Sequence, residues 1–301
     1  MNGRLGVWAT TDAMPAATAV AFARRVEELG YATLWLPETM GRDPFAHIAH
    51  LAGTATRLRF ATGIANIHHR HPGAMTQAAN TLGEQTGGRF TLGLGVSHAP
   101  LVEGLRGLEY GKPVATMRRY LEAMASSPYM SPSPAEPVPR VIGALGPRMT
   151  ELAGELADGV HPYWTTPEHT AQARGILGEG KLICVEQKVV LTDDPTVARD
   201  TARQALSLYA DLPNYRNNWL RLGFSDAAID ARADDFVDAL VAWGDPARIV
   251  AHLRRHLDAG ADHVAIQPLT PGAAFHPHED ALAALATEAA AAGLLDPGAP
   301  V

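Results

Sequence analysis

The chain has 301 residues, and its 25 Lys and Arg against 32 Asp and Glu leave a formal net charge of -7. This acidic balance argues against nucleic-acid and anionic-membrane partners, because contacts with many phosphates require a basic face. The lone Cys184 cannot form an internal disulfide, and neither a signal peptide nor a membrane-spanning apolar stretch is recognisable. We therefore expect a soluble, cytoplasmic protein of one large domain or two ordinary ones.

Eight short apolar runs follow one another along the chain. Most are nearly continuous in apolar residues rather than alternating, which is typical of parallel strands covered on both faces. The runs span residues 5–9, 33–38, 59–66, 90–96, 140–144, 159–163, 181–192 and 263–269.

The segments between these runs carry helix signals. After the first run, Phe22, Val26 and Leu29 share one face and Gly30 supplies a stop. Asp-Pro or Thr-Pro pairs begin four further helices, at residues 43, 166, 194 and 245. Alternating strands and helices predict a parallel sheet, and eight repeats favour a closed (β/α)8 TIM barrel over an open one. No composition shift marks a boundary, so we predict a single domain over residues 1–301.

Two gaps between strands predict insertions after strands four and seven. Residues 97–139 include the proline-rich stretch 127–134, which predicts a surface loop. Residues 193–262 contain three or four predicted helices, one of them spanning residues 226–243.

In a β/α barrel the active site lies at the carboxyl ends of the strands, where this chain has two candidate anion sites. In the segment 93–98, small residues would let backbone amides approach a phosphate or a flat ring, or its glycines would merely relieve crowding in the barrel. In the segment 145–149, a turn, a helix N-terminus and Arg148 together suit a phosphate; alternatively, Arg148 is simply solvated.

Glu38 and several histidines are the titratable candidates. Glu38 ends an apolar strand and could be a general base, a ligand anchor or a structural acid bonded to backbone amides. His98 and His161 are strand-end candidates for proton transfer or satisfied structural histidines. The segment 68–71 holds three histidines, but its spacing does not suit a metal, and we expect only one of them to reach a pocket.

A hydrolase is the weaker alternative for this chain. Its nucleophile would be Ser97, but the segment 95–99 lacks the second glycine of the nucleophile elbow. Asp262 and His263 would have to complete the triad.

The strand-end segments, taken together, resemble a known family. Residues 61–66, 70–72, 77–82 and 88–95 resemble the region from the third to the fourth strand in the bacterial luciferase-like monooxygenase superfamily. The chain looks most like the branch that uses the deazaflavin coenzyme F420, which residues 35–38, 41–43 and 157–159 also fit.

This resemblance implies a barrel in which a bulge with a non-proline cis peptide, here Gly63 and Ile64, backs the deazaflavin ring. It implies coenzyme contacts at strand ends three, four and five, whose phosphate positions coincide with the two candidate anion sites. The corresponding cofactor residues are Gly63, Ile64, Asn66, Val96, Ser97, His98, Ala144, Leu145, Gly146, Pro147 and Arg148.

For the chemistry we expect His98 to handle the proton, with Glu38 or His68 as its neighbour, and no metal. Trp8, Tyr163 and Trp164 would wall an apolar pocket for a small-molecule substrate. Some dehydrogenases of the family have an acidic residue followed by histidine after strand two and a glutamate after strand four. In this chain the acidic Glu38 is followed by Thr39 instead of histidine, and His98 stands where those enzymes have the glutamate after strand four. The proton chemistry of those enzymes therefore does not transfer directly.

The predicted function is an F420-dependent oxidoreductase that passes a hydride between the coenzyme and a small organic substrate. The alternatives are an FMN-dependent two-component monooxygenase and a non-catalytic flavin-binding protein. Because no dinucleotide-binding fingerprint is present, a separate enzyme must reduce the coenzyme. We also expect a homodimer.

Overall fold

The computed structural model of the protein describes residues 3–273 and 276–295. Its ten strands within these ranges are β1 (Leu5–Trp8), β2 (Thr33–Leu36), β3 (Arg59–Thr62), β4 (Ala65–Asn66), β5 (Phe90–Gly95), β6 (Arg140–Ile142), β7 (Gly159–Val160), β8 (Leu182–Leu191), β9 (Val241–Gly244) and β10 (His263–Pro268).

Twelve α-helices and one π-helical turn, Pro100–Leu105, lie among the same described residues. The helices are α1 (Ala16–Glu28), α2 (Pro44–Ala52), α3 (Pro72–Gln85), α4 (Pro113–Ala125), α5 (Pro147–Leu156), α6 (Pro167–Leu177), α7 (Pro195–Leu206), α8 (Pro213–Arg221), α9 (Asp226–Ala231), α10 (Asp234–Leu240), α11 (Pro246–Asp258) and α12 (Glu279–Ala291).

Parallel pairing closes the sheet into a barrel. The order β10-β1-β2-β3-β5-β6-β7-β8 is completed by pairing of β10 with β8, and the short β4 pairs with β5 after a bulge. Each predicted apolar run contains one barrel strand, and the third run contains both β3 and β4. The predicted eight-stranded (β/α)8 barrel is confirmed.

The insertion after β8 differs from its prediction. Residues 193–262 contain five helices, not three or four, and the predicted single helix over 226–243 was wrong. Arg232 turns the chain with a left-handed φ of 47°, which separates α9 from α10. The residues after α10 form β9. Strand β8 extends beyond the end of β7, so its residues from Lys188 to Leu191 have no β7 partner on that side and pair with Val241 to Gly244 instead.

The predicted helix boundaries follow local chemistry. Asp43, Asp194 and Asp245 cap α2, α7 and α11 through their carboxylates, each followed by proline. Thr166 occupies the N-cap of α6 without a side-chain hydrogen bond to the helix. Gly30 follows α1 with a positive φ of 86°, a conformation that glycine adopts at little cost.

Buried side chains form one large core between strands and outer helices and a smaller cluster inside the barrel, which includes Trp8, Trp35 and Cys184. The insertion adds a third cluster around Trp164, Trp219 and Phe236, which packs beside the carboxyl ends of β7 and β8. The proline-rich stretch 127–134 contains neither helix nor strand, as predicted. No helix among the described residues is long and apolar enough to cross a membrane.

Candidate active site

A bulge between β3 and β4 lies at the carboxyl end of the barrel. The peptide bond from Gly63 to Ile64 is cis, as the resemblance implies. Trp8, at the end of β1, donates a 2.8 Å hydrogen bond from Nε1 to the Gly63 carbonyl oxygen. A Cβ on Gly63 would lie 2.7 Å from that same nitrogen, so the indole both holds the bulge and requires glycine there.

Glycines in β5 leave room for this bulge. A Cβ on Gly93 would lie 2.0 Å from the Thr62 carbonyl oxygen, and one on Gly95 would lie 2.5 Å from Cδ1 of Ile64. The Thr62 hydroxyl donates to the Gly93 carbonyl oxygen and accepts from the Gly93 amide, at 2.7 and 2.8 Å. Relief of crowding therefore explains these two glycines, and their role is to seat the bulge.

Glu38 follows β2, and both of its carboxylate oxygens are engaged. Oε2 accepts from the Asn66 amide at 2.7 Å, and Oε1 lies 2.7 Å from Nη1 of Arg70 and 3.2 Å from Nδ1 of His69. The Glu38 side chain is only 6% exposed. Of the alternatives for Glu38, this geometry favours the structural acid, which ties the residues after β4 to the end of β2.

Arg70 extends this network to α2. Its second terminal nitrogen pairs with Asp43, the N-cap of α2, and its guanidinium carbon lies 4.8 Å from the centre of the Phe45 ring. Burial opposes the charge on Arg70, but the carboxylates of Glu38 and Asp43 outweigh it and raise the pKa of the guanidinium. A cation is therefore fixed beside the bulge.

The other residues of this segment have separate roles. His69 Nε2 lies 3.1 Å from Nδ2 of Asn66, and His71 Nδ1 accepts from the Gly73 amide at the start of α3. His68 packs its ring against Tyr110, and burial together with the neighbouring His69 lowers its pKa. In the described part of the chain, no three metal-ligating side chains converge.

Ser97 and His98 follow β5, and His98 contacts the insertion that follows β8. Ser97 has a left-handed φ of 58°, and its carbonyl oxygen accepts a 3.0 Å hydrogen bond from the Tyr110 hydroxyl. The His98 ring lies 5.6 Å from the Tyr215 ring of α8. Burial lowers the pKa of His98, although a hydrogen bond with Asn214 opposes this, so a neutral imidazole faces the insertion.

The N-terminus of α5 lies next to the end of β5, because β5 and β6 are paired neighbours. Arg148 is exposed in the first turn of α5. The carbonyl oxygen of Leu145 accepts from Nε2 of His169 at 2.9 Å and from Nη2 of Arg221 at 3.4 Å, which fixes the turn before the helix. A Cβ on Gly146 would lie 3.4 Å from the same Arg221 nitrogen. Arg221 therefore lies beside the turn that begins α5, and Arg148 lies in its first turn, where the amides of Met149 and Thr150 bond to the Gly146 carbonyl oxygen.

His161 belongs to the barrel interior. Its Nδ1 donates to the Cys184 carbonyl oxygen at 2.6 Å, and its ring stacks on Trp35 with the centres 4.3 Å apart. Burial lowers the pKa of His161 to about 4, which keeps the imidazole neutral at pH 7. Its Nε2 is buried without a hydrogen-bond partner among the described residues, so His161 is structural through Nδ1 and its stacked ring but is not fully satisfied.

The positions of Asp262 and His263 argue against a hydrolase. His263 begins β10, at the end of the barrel opposite Ser97, and its ring is bonded to Trp35 and to the Gly3 carbonyl oxygen. Asp262 accepts from the amide of Ile183 at the start of β8. These side chains therefore cannot form a triad with Ser97.

An aromatic wall follows β7. Tyr163 packs on Trp8, with ring centres 5.3 Å apart, and its hydroxyl donates to Oε1 of Gln267 at 3.0 Å. Trp164 lies behind Tyr163, nearly fully buried, and its carbonyl oxygen accepts from the Trp219 indole. Of the three predicted pocket residues, Trp8 and Tyr163 thus lie together beside the bulge, and Trp164 forms their backing.

Sequence reasoning gave no role to two charged residues of β8 beside this wall. Nζ of Lys188 lies 2.7 Å from Oε2 of Glu186, and both side chains are at most 1% exposed. Their signal in the sequence is a pair of charges two residues apart in an apolar strand, which places both on one face. Arg221 was also missed, and it lies in an insertion helix where no local pattern marks it.

Comparison with known proteins agrees with this architecture. The family model for luciferase-like monooxygenases matches residues 1–263, and the chain belongs to that family. A Mycobacterium tuberculosis protein whose name assigns it to the coenzyme F420-dependent oxidoreductases is 27% identical, with 84% of this chain and 89% of that protein covered. A 5,10-methylenetetrahydromethanopterin reductase from Methanolobus tindarius is 26% identical over 46% of this chain and 48% of its own length.

Solved structures share the fold at low sequence identity. An F420-dependent secondary alcohol dehydrogenase in complex with an F420-acetone adduct superposes with a TM-score of 0.74 at 14% identity, covering 95% of this chain and 98% of that one. The oxygenating constituent of the Pseudomonas putida 3,6-diketocamphane monooxygenase, in complex with FMN, superposes with a TM-score of 0.68 at 16% identity. This match covers 96% of this chain and 98% of that one. These likenesses show that the chain shares the fold of both proteins.

Proposed function

We propose that the protein is an F420-dependent oxidoreductase that transfers a hydride between the deazaflavin coenzyme and a small organic substrate at the barrel mouth. The observation that carries the proposal is the match over 84% of the chain to a relative assigned to the F420-dependent oxidoreductases. The bulge, the kinked end of β5 and the N-terminus of α5 lie on neighbouring strands, where one elongated ligand could contact all three.

The residues at the mouth fit such a coenzyme. Amides at the N-terminus of α5, with Arg148 and Arg221 beside them, supply the positive potential that a phosphate requires. Gly63 and Gly95 let the Trp8 indole and the Ile64 side chain pack directly against the backbone, which holds the bulge close to the facing strand. When bound, a deazaflavin donates or accepts a hydride, which the protein's own side chains cannot do.

The protein's part in this chemistry is to bind, orient and move a proton. Arg148 and Ser97 would hold the phosphate, and Tyr163 and Trp8 would hold the apolar part of the substrate. His98 is the proposed proton donor or acceptor, since its lowered pKa leaves it neutral and able to accept a proton at pH 7. Glu38 would not contact the substrate. It would orient the segment 66–70 through its contacts with Asn66 and Arg70.

Titration of the purified protein with F420 and with FMN, followed by fluorescence, tests this proposal. We expect tighter binding of F420, and tighter binding of FMN would favour the second candidate, a two-component monooxygenase. The FMN complex of the diketocamphane monooxygenase is the observation that keeps this candidate open. The expected partner reductase and homodimer are tested by reduction assays with added reductases and by sedimentation.

A further inference from the structure

The segment 127–138, to which the proposed function gives no role, helps to enclose a cavity on the outside of the barrel. The cavity has a volume of about 260 Å³ and is lined by residues of α3, α4, β5, β6 and this segment. The segment is seated on α3, because a Cβ on Gly83 would lie 2.4 Å from Cγ2 of Val138 and 3.3 Å from Cβ of Pro134. The cavity shares no residue with the proposed coenzyme and substrate sites.

Among the described residues that line this cavity, Arg140 is the charged one, and it begins β6. The next residue, Val141, belongs to the cluster inside the barrel, so the alternation of a strand places the Arg140 side chain on the outer face. Its register partner on β5 is Leu92, a buried residue of the core between strands and helices. A guanidinium therefore begins in a layer that is otherwise apolar.

Two other arginines at the same end of the barrel show how the fold satisfies such a charge. Arg59 begins β3 and donates from Nη2 to the Gly88 carbonyl oxygen at 2.8 Å. Arg89 precedes β5 and donates from Nη1 to the Leu58 carbonyl oxygen at 2.7 Å. The Arg140 guanidinium has neither a hydrogen bond nor an ion pair with any described residue. Its donors are therefore left for water or a ligand.

The charges around Arg140 suit a single negative charge. Burial lowers the pKa of the Arg140 guanidinium, and the carboxylate of Asp158 opposes this shift. Oδ2 of Asp158 accepts from the Arg140 backbone amide at 2.7 Å, and within the described chain it forms no ion pair with the guanidinium. One cation with a carboxylate at longer range favours a monoanion over a phosphate dianion, which helix amides or several cations usually hold.

Two polar groups and an apolar surface complete the cavity. Asn80 of α3 and Tyr129 line it, and among the described residues neither the Asn80 amide nor the Tyr129 hydroxyl has a hydrogen-bond partner. Ala79, Leu92 and Met124 supply apolar side chains. The fork of guanidinium donors matches the two oxygens of a carboxylate, and the apolar side chains match a hydrocarbon group.

We propose that this cavity binds a small monocarboxylate with an apolar body, whose carboxylate pairs with Arg140 and accepts a hydrogen bond from Asn80 or Tyr129. Pockets for drug-sized ligands have volumes of roughly 300 to 1,000 Å³. The smaller volume of this cavity restricts the body of the ligand to a single ring or a short branched chain. This site goes beyond the proposed function and does not depend on it, because it lies outside the barrel mouth.

Benzoate is a suitable probe, and benzamide is its uncharged match. In saturation-transfer NMR on the full chain without coenzyme, we expect benzoate to bind more tightly than benzamide. Arg140→Met keeps an unbranched side chain but removes the charge, so it should weaken benzoate binding roughly tenfold or more and leave benzamide binding unchanged. Asn80→Leu should weaken benzoate binding roughly two- to tenfold. It covers the case in which Arg140→Met fails to fold.

The same substitution at two exposed arginines provides the controls. Arg119→Met on α4 and Arg148→Met at the barrel mouth should both leave benzoate binding unchanged. An equal loss in Arg119→Met would show a non-specific charge effect, and an equal loss in Arg148→Met would put the probe in the coenzyme site; either result would overturn the proposal. Undiminished benzoate binding by a folded Arg140→Met protein, or tighter binding of inorganic phosphate than of benzoate at this cavity, would also overturn it.

Discussion

Replacement of Glu38 by glutamine separates a structural from a catalytic role of this carboxylate. The substitution keeps the side-chain shape but removes the charge that pairs with Arg70 at 2.7 Å, in a site where the two side chains are 6% and 16% exposed. Breaking a buried ion pair costs about 3 to 5 kcal/mol. Because Arg70 keeps Asp43, we expect a loss just below this range, about 2 to 3 kcal/mol.

The matched control is Glu155→Gln on the surface. Glu155 pairs with Arg118 at 2.6 Å, but the two side chains are 55% and 40% exposed. Exposed pairs contribute about 0 to 1 kcal/mol, so this variant should unfold almost like the wild type. The two substitutions have equal length and equal chemistry, and the sites differ in burial and in the additional contacts of Glu38 with Asn66 and His69.

Urea unfolding followed by tryptophan fluorescence measures both variants, and the coenzyme titration is repeated on each. We expect Glu38→Gln to lose stability and coenzyme affinity together, because the carboxylate also holds the Asn66 amide beside the bulge. A Glu38→Gln protein that is as stable as Glu155→Gln but has no turnover would refute the structural role and restore the general base.

Three further predictions concern the phosphate site, the bulge and the interior. Arg148→Ala should weaken coenzyme binding by about 1.5 to 3 kcal/mol in calorimetry; unchanged affinity would remove it from the site. Gly93→Ala should destabilise the fold, because its Cβ meets a backbone oxygen at 2.0 Å, whereas Gly175→Ala, with open space in α6, should be neutral or stabilising by up to about 1 kcal/mol. Burial lowers the pKa of His161 from 6.5 to about 4 on folding; its stabilising contribution is therefore complete above pH 6.5 and falls by about 3 kcal/mol towards pH 4. His161→Asn should reduce the slope of stability against pH without abolishing it, because burial also lowers the pKa of His252, His256 and His263.

Local patterns in the sequence determined the barrel and the location of its mouth. Eight apolar runs predict eight strands because parallel strands covered on both faces have no polar side. Aspartate before proline marks helix starts such as that at Asp43, because the capping hydrogen bond is made within a few residues. The resemblance correctly implied a cis bond at Gly63, since the segment around it is specific to the family.

Partnerships across long distances in sequence were decided by the tertiary structure alone. Whether Glu38 is free or paired depends on Arg70, 32 residues further along, and the turn before α5 depends on Arg221, 76 residues from Leu145. A charged pair such as Glu186 and Lys188 is visible in the sequence, but its role depends on which rings enclose it. Strand periodicity is a property of neighbouring residues, whereas the charge, burial and reach of a side chain are set by whatever the fold brings beside it.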